Sequence, residues 1–257
     1  RSLSGGWYVG GRAALYQKRV LLMPVAGVER RLGESNFTAW AGTEPSMSLP
    51  SFREVFVSNG DWNVPDLTRP AERRYIDLRG GLRWAWKAQS FALSGNFYKV
   101  GEYRTWVRSG PYWQEIGLED ATGIQITASG KASAGGFQVE GKSEARNVHF
   151  RGAQVPYVPR YEGWLDLSYS FRGWRWGATL NGVGGREDEF GVRYADFLRL
   201  DLEAAYRFRT HGLPMGFRNL EIALGIQNLT GVEDRRWPGV PAYGFGVVGG
   251  VRALYGD

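Results

Sequence analysis

The feature that most restricts what this chain can fold into is a period of two. In "FLRLDLEAAYRF", Leu198, Leu200, Leu202, Ala204, Tyr206 and Phe208 fall on one face, with Arg199, Asp201, Glu203 and Arg207 on the other. "RNLEIALGIQN" sets Leu220, Ile222, Leu224 and Ile226 against Glu221, Ala223, Gly225 and Gln227. "WLDLSYSF" and "YIDLRGGLRWAW" repeat the scheme, the latter with Ile76, Leu78, Leu82, Trp84 and Trp86 opposite Asp77, Arg79 and Arg83. Alternation of this kind is the mark of a strand with two unlike faces. It predicts about twelve strands, near 7–16, 20–32, 35–44, 73–87, 90–107, 112–131, 136–148, 160–172, 174–184, 196–208, 218–229 and 243–255.

Short links such as Ala134-Gly135-Gly136 and Arg172-Gly173 join some of these strands, while long polar, proline-containing segments separate others. Short turns at one end and long loops at the other are the asymmetry of an outer-membrane barrel. A soluble sandwich also alternates, but three features oppose it. Several strands exceed the usual soluble length of about 5–6 residues. Aromatic residues collect near segment ends, as in Trp84 and Trp86, Trp174 and Trp176, or Tyr206 and Phe208, where an interfacial girdle lies. The second face carries both signs of charge at a density that a wet or plugged lumen accepts and a dry core does not.

Composition agrees. Of the 257 residues, 14% are aromatic and 37 are glycine, a mixture suited to pleated surfaces and tight turns. Mean hydropathy is −0.36, and no apolar run nears the roughly 20 residues of a membrane-spanning helix. This excludes a helical membrane protein and leaves open a barrel, whose strands need only about 9–11 residues with alternate side chains apolar. The absence of cysteine rules out a disulfide scaffold and a thiolate metal site. The net charge of +6 would suit an anionic partner, but the arginines are spread singly through strands, so nucleic-acid binding is not expected. The expected organisation is one β domain over residues 1–257, beginning as a mature product or as an excerpt of something longer.

Few residues point to chemistry. His149 and His211 lie beside predicted loops, and no serine, histidine and acid fall at a spacing that defines a hydrolase, so no catalytic site is expected. "TGIQITASGKAS" and "NGVGGRED" hold turn glycines without a strand-to-helix phosphate cradle. The acidic run Glu187, Asp188 and Glu189 has arginine neighbours and reads as a solvated loop rather than a Ca²⁺ site; no metal or cofactor is expected. Arg79, Arg83, Arg199 and Arg207 line the polar face, where they either attract anionic ligands or pair with Asp77, Asp201 and Glu203 across strands, the preferred reading.

Two stretches go beyond pattern. "PSFREVFVSNGDWNVPDLTRPAERRYIDLRGGLRW" holds Pro50, Ser51, Phe52, Glu54 and Phe56, then Asn63, Pro65, Asp66, Leu67, Pro70 and Glu72. The closing stretch holds Asn228 and Leu229, then Trp237, Pro238, Gly239 and Pro241, then "YGFGVVGGVRALY". Together they resemble the C-terminal half of the barrel of TonB-dependent outer-membrane receptors, with their "NP-x-L-x-PE" loop and their "NL" pair before a last aromatic-glycine strand. Val64 and Ala71 interrupt the first motif, Thr230 replaces an expected aromatic, and Gly256 and Asp257 follow Tyr255 where the family commonly ends on Phe or Trp.

The resemblance implies an antiparallel transmembrane barrel in the bacterial outer membrane, of about 22 strands around a plug domain. It implies uptake of a scarce small ligand, with TonB engaged through an N-terminal region. Neither plug nor TonB box is visible in this stretch, so the partners expected are outer-membrane lipids, a plug domain or the remaining half of the barrel. By analogy with siderophore receptors, loop residues Trp62, Trp113 and Trp237 become candidates for ligand contact beside the four arginines. The runner-up is a self-closed, plugless barrel of about twelve strands acting as a passive pore, in which the closing strand pairs with "WYVGGRAALY"; a structural barrel in an envelope complex is a third reading. In each, Phe245, Val247, Val251 and Tyr255 face lipid.

Overall fold

A computed structural model describes residues 5–16, 19–32, 36–48, 72–109, 112–209, 217–232 and 244–255. Every helix or strand among them is a strand: β1 (Gly5–Tyr16), β2 (Arg19–Arg31), β3 (Phe37–Thr43), β4 (Ser46–Ser48), β5 (Glu72–Trp86), β6 (Gln89–Ser109), β7 (Tyr112–Leu118), β8 (Ala121–Ala134), β9 (Phe137–Phe150), β10 (Ala153–Gln154), β11 (Tyr161–Phe171), β12 (Trp174–Gly184), β13 (Phe197–Arg209), β14 (Phe217–Gln227) and β15 (Gly246–Tyr255). They form one 15-stranded sheet in the order β1-β2-β3-β5-β6-β8-β9-β11-β12-β13-β14-β15, with β4 on β5, β7 on β6 and β10 on β9. Neighbours in this order follow one another along the chain, the up-and-down arrangement of membrane barrels. Among the described residues β1 and β15 stand at opposite edges, so the closing strand pairs with β14 and not with Trp7–Tyr16.

The single strand expected over 112–131 is two. Both β7 and β8 pair with the long β6, β7 with its far half (Tyr103–Ser109) and β8 with its near half (Ser90–Val100). The break falls at Asp120, whose φ of 61° is left-handed and cannot continue a ladder. Alternation misses it because Leu118 and Ala121 both end up buried on either side of the bend.

Tight turns gather at one end of the sheet. Gly135 and Gly136 (φ 55° and 89°) and Arg172 and Gly173 (φ 47° and 89°) have the two positive angles of a hairpin turn whose twist matches the strands. The longer connections 151–160 and 185–196 lie at the opposite end, together with the segment after β14.

Registers sort the side chains into two faces. Tyr169, Trp176, Ala204 and Leu224 stand in one cross-strand row, and Leu167, Ala178, Leu202 and Ile226 in the next. Val247 and Val251 join this face from β15. Many of its members are open to the surroundings, Leu224 at 57% and Val251 at 69% among them. A continuous apolar surface across so many strands far exceeds the few hundred Å² that water tolerates.

At the tight-turn end the rows turn aromatic. Phe137 stacks on Tyr169 with ring centroids 4.2 Å apart, Trp174 on Trp176 at 5.4 Å, and Tyr206 meets Trp174 at 4.7 Å and Phe208 at 4.6 Å. In β11 the apolar face runs from Tyr161 to Phe171, eleven residues spanning about 33 Å along the strand. Tilted by the usual 35–45°, that length covers about 25 Å, the height of the apolar band of a membrane barrel.

The polar face carries a small core near the long-connection end. Tyr98, Val100, Leu118, Ala121, Val148, Val155 and Val158 are buried together where the segment after β10 folds over the sheet. Gly123 lies beneath the Tyr98 ring, so close that any side chain there would collide with it.

Candidate functional site

The polar face brings together charges far apart in sequence. Arg175 on β12 reaches Glu203 on β13 at 2.6 Å and Glu221 on β14 at 3.4 Å. Arg207 and Arg252 close on the same Glu221 at 3.2 and 3.7 Å. The Glu221 side chain is only 6% exposed, and a buried carboxylate is tolerated where cations surround it in this way. The network borders a hollow of about 590 Å³ that Asp166, Thr179, Asp201 and Gln227 also line.

Two further clusters follow along the sheet. Glu144 takes Lys142 and Arg146 at 3.0 Å each, and Arg146 also pairs with Glu162. Asp77 is fully buried between Arg79 at 2.6 Å and Arg74 at 3.6 Å, while Arg79 extends to Glu44 at 2.9 Å. The Arg74 guanidinium lies over the Tyr98 ring, 4.0 Å from its centre, which ties this cluster to the buried core.

The four arginines singled out in the sequence all lie on this face, in different surroundings. Arg79 and Arg199 do pair with Asp77 and Asp201, but along their own strands at i,i+2 and not across the sheet, Arg199 to Asp201 at 3.0 Å. Arg207 pairs with Glu221 instead of Glu203, which is taken by Arg175. Arg83 forms no ion pair among the described residues. Trp113 lies in β7, with its side chain outside what is described. Trp62 and Trp237, the motif residues from Pro50 through Pro70, Trp237 to Pro241, and His211 all lie outside the described residues. His149 lies near the end of β9, beside the turn at Arg151 and Gly152, paired with Thr122 and Gln154. Glu144, Arg146, Glu162, Arg175, Glu221 and Arg252 escaped sequence reasoning; each sat at a polar position of an alternating run, but only the register shows that they meet.

At the long-connection end two loops interlock. The Tyr157 hydroxyl donates to Glu189, the Tyr157 amide donates to the Glu187 carbonyl at 2.7 Å, and Arg160 pairs with Glu187 at 3.2 Å. Burial pushes the Tyr157 hydroxyl above its ordinary pKa, and the Glu189 carboxylate beside it pushes the same way. Asp188 turns inward and accepts the amides of Phe190 and Val192 at 2.9 and 2.8 Å. Thus the acidic run is committed to loop structure, and among the described residues no group of three or more His, Asp or Glu could hold a metal ion.

The Asn228-Leu229 pair also gains a reason. Asn228 sits at φ 54°, a conformation asparagine tolerates. Its amide donates to Asp201 at 2.7 Å and its side chain to the Val232 carbonyl at 2.8 Å, fixing the exit from β14.

No family model and no curated protein matches this sequence. Solved structures do. The siderophore receptor PirA from Acinetobacter baumannii superposes with a TM-score of 0.64 at 10% identity, over 96% of this chain and 43% of that one. The FrpB iron transporter from Neisseria meningitidis (F3-3 variant) gives 0.58 at 14%, over 97% and 42%. Copper transporter OprC gives 0.57 at 20%, over 84% and 36%. The chain therefore has the fold of part of a TonB-dependent outer-membrane receptor barrel. It spans 36% of the length of OprC and 42% of that of FrpB.

Proposed function

We propose that this chain is part of the wall of an outer-membrane receptor that takes up a metal ion or metal chelate. The observation that supports the reading best is the pairing of two unlike faces in one sheet. An apolar face with an aromatic end suits lipid, and a densely charged concave face suits an aqueous or plugged lumen. The ligand class comes from the similar structures, whose names are those of iron, copper and siderophore transporters and receptors. On this reading a plug domain elsewhere in the protein packs on the charged face, TonB acts through that plug, and the interlocked loops frame the outer mouth. Arg83, without an ion pair of its own among the described residues, is the arginine best placed to meet a plug or an anionic chelate. Trp62 and Trp237, and Trp113 on β7, remain candidates for ligand contact. The passive-pore alternative requires β1 to pair with β15, and no observation favours it.

The test is fractionation and uptake in the native organism. The protein should sediment with outer-membrane fractions. A strain lacking it should lose most uptake of radiolabelled iron given as ferric citrate, as a ferric hydroxamate, or of copper(II) salt, in at least one case. Unchanged uptake of all three would overturn the proposed ligand class, and recovery of the protein in the soluble fraction would overturn the placement itself.

A further inference from the structure

The apolar face is not evenly filled. Across β9, β11, β12, β13 and β14 it sinks into a groove of about 520 Å³ walled by Phe137, Tyr169, Trp176 and Leu202 and floored by Ala178 and Ala204. The registers explain the depression. Ala204 stands beside Trp176 in one row and Ala178 between Leu167 and Leu202 in the next, so methyl groups lie where neighbours carry large side chains. A width and depth of this kind suit a hydrocarbon chain.

The nearby turn supplies the second half of a site. Arg172 closes the β11–β12 hairpin at φ 47°, a left-handed position where glycine or asparagine is favoured and a long side chain is strained. Its guanidinium lies 4.9 Å from the centre of the Phe171 ring, and it has no ion-pair partner among the described residues. Arg172 lies three positions beyond Tyr169 at the groove, about 10 Å along the strand. That is close to the separation of a phospholipid phosphate from the upper methylenes of its acyl chains. Lys87 repeats the arrangement two hairpins away, at φ 52° with its ammonium 4.7 Å from the Trp86 ring centre.

We propose that this groove and Arg172 form a specific site for one anionic glycerophospholipid of the periplasmic leaflet. The phosphate lies at Arg172, the glycerol level beside Trp174, and one acyl chain passes between Tyr169 and Trp176 onto Ala178. Charge complementarity selects an anionic headgroup, since the cation at the rim is uncompensated and the groove below is apolar. The proposal rests on the outer-membrane placement above.

The test uses the full-length protein that contains this chain, purified from outer-membrane fractions in mild detergent and examined by native mass spectrometry with lipid identification. One anionic phospholipid per polypeptide should survive washing. R172Q should lower its retention about fivefold, the worth of one cation near an anionic headgroup. A178F, which fills the groove without touching charge, should lower it at least as much, and K131Q, one charge removed from the opposite face, should leave it unchanged. Heat-shifted gel mobility checks that each variant is folded; if A178F fails to fold, A178V takes its place. Protein in the outer membrane without retained lipid, a zwitterionic lipid retained equally well, or retention unaffected by R172Q overturns this proposal alone. Protein absent from the outer membrane overturns the placement as well.

Discussion

Strand β12 carries two surfaces on one backbone. On its apolar face stand Trp174, Trp176, Ala178 and Leu180, and on its polar face Arg175, Gly177, Thr179 and Asn181. Backbone, register and hydrogen-bonded neighbours are shared, so the difference is set by what each face meets. Among the described residues of β11 to β15, no Asp, Glu, Lys or Arg falls on the apolar rows, whereas the polar rows hold five members of one ion network. A soluble sandwich packs its apolar rows on a second sheet; here no second layer among the described residues covers them.

The largest effect should come from moving charge between the faces. Leu180→Arg places a guanidinium in the middle of the apolar face and should cost about 2–4 kcal/mol, while Thr179→Arg, one residue earlier and facing Asp166 and Asp201, should cost less than about 1 kcal/mol. Urea titration of the refolded protein in lipid vesicles reads both. Equal costs would break the comparison. Next comes Glu221→Gln, which leaves Arg175, Arg207 and Arg252 facing one another. Because those arginines are half exposed, water screens them, and the expected loss is about 1–2 kcal/mol on the same assay.

Much of this was legible in advance. Residues two apart declared the faces, and Gly135-Gly136 and Arg172-Gly173 declared the turns, because both signals are local. Register is not local. That Arg175, Glu221 and Arg252 converge depends on how three strands slide past one another, which alternation leaves free. That Arg79 holds Asp77 on its own strand and Glu44 beside it was likewise hidden, as was the Tyr157–Glu189 contact between two loops with no periodicity. Asp120 broke a run that composition alone reads as continuous.

A smaller effect sharpens the comparison between wall and loops. Asn228→Gly keeps the left-handed backbone but loses the side-chain bond to Val232, and Asn228→Ala loses both, so alanine should cost about 1 kcal/mol more than glycine. Hydrogen exchange at the start of the segment after β14 would report it; equal exchange in the two variants would deny the backbone a role. The smallest effect concerns pH. Tyr157 has a folded pKa above its unfolded value of about 10, so its contribution is present below that pH and is lost as pH rises past it, where the unfolded loop releases its proton first. Amide protection in 185–196, the ratio of the intrinsic base-catalysed exchange rate to the observed one, should therefore fall above about pH 10. Tyr157→Phe should remove that pH dependence; if it persists, the Tyr157–Glu189 contact is not its source.

The chain has no cysteine of its own, so a cysteine placed in it is the single label site once any elsewhere in the full-length protein are changed to serine. Spin labels at successive positions 176 to 182 of β12, in the full-length protein reconstituted in vesicles, compare collision with oxygen, which concentrates in lipid, against collision with a water-soluble nickel chelate. The two-faced wall predicts oxygen-dominated signals at Trp176, Ala178, Leu180 and Gly182 and oxygen-poor signals at Gly177, Thr179 and Asn181. A flat profile, or alternation of the opposite phase, would contradict it.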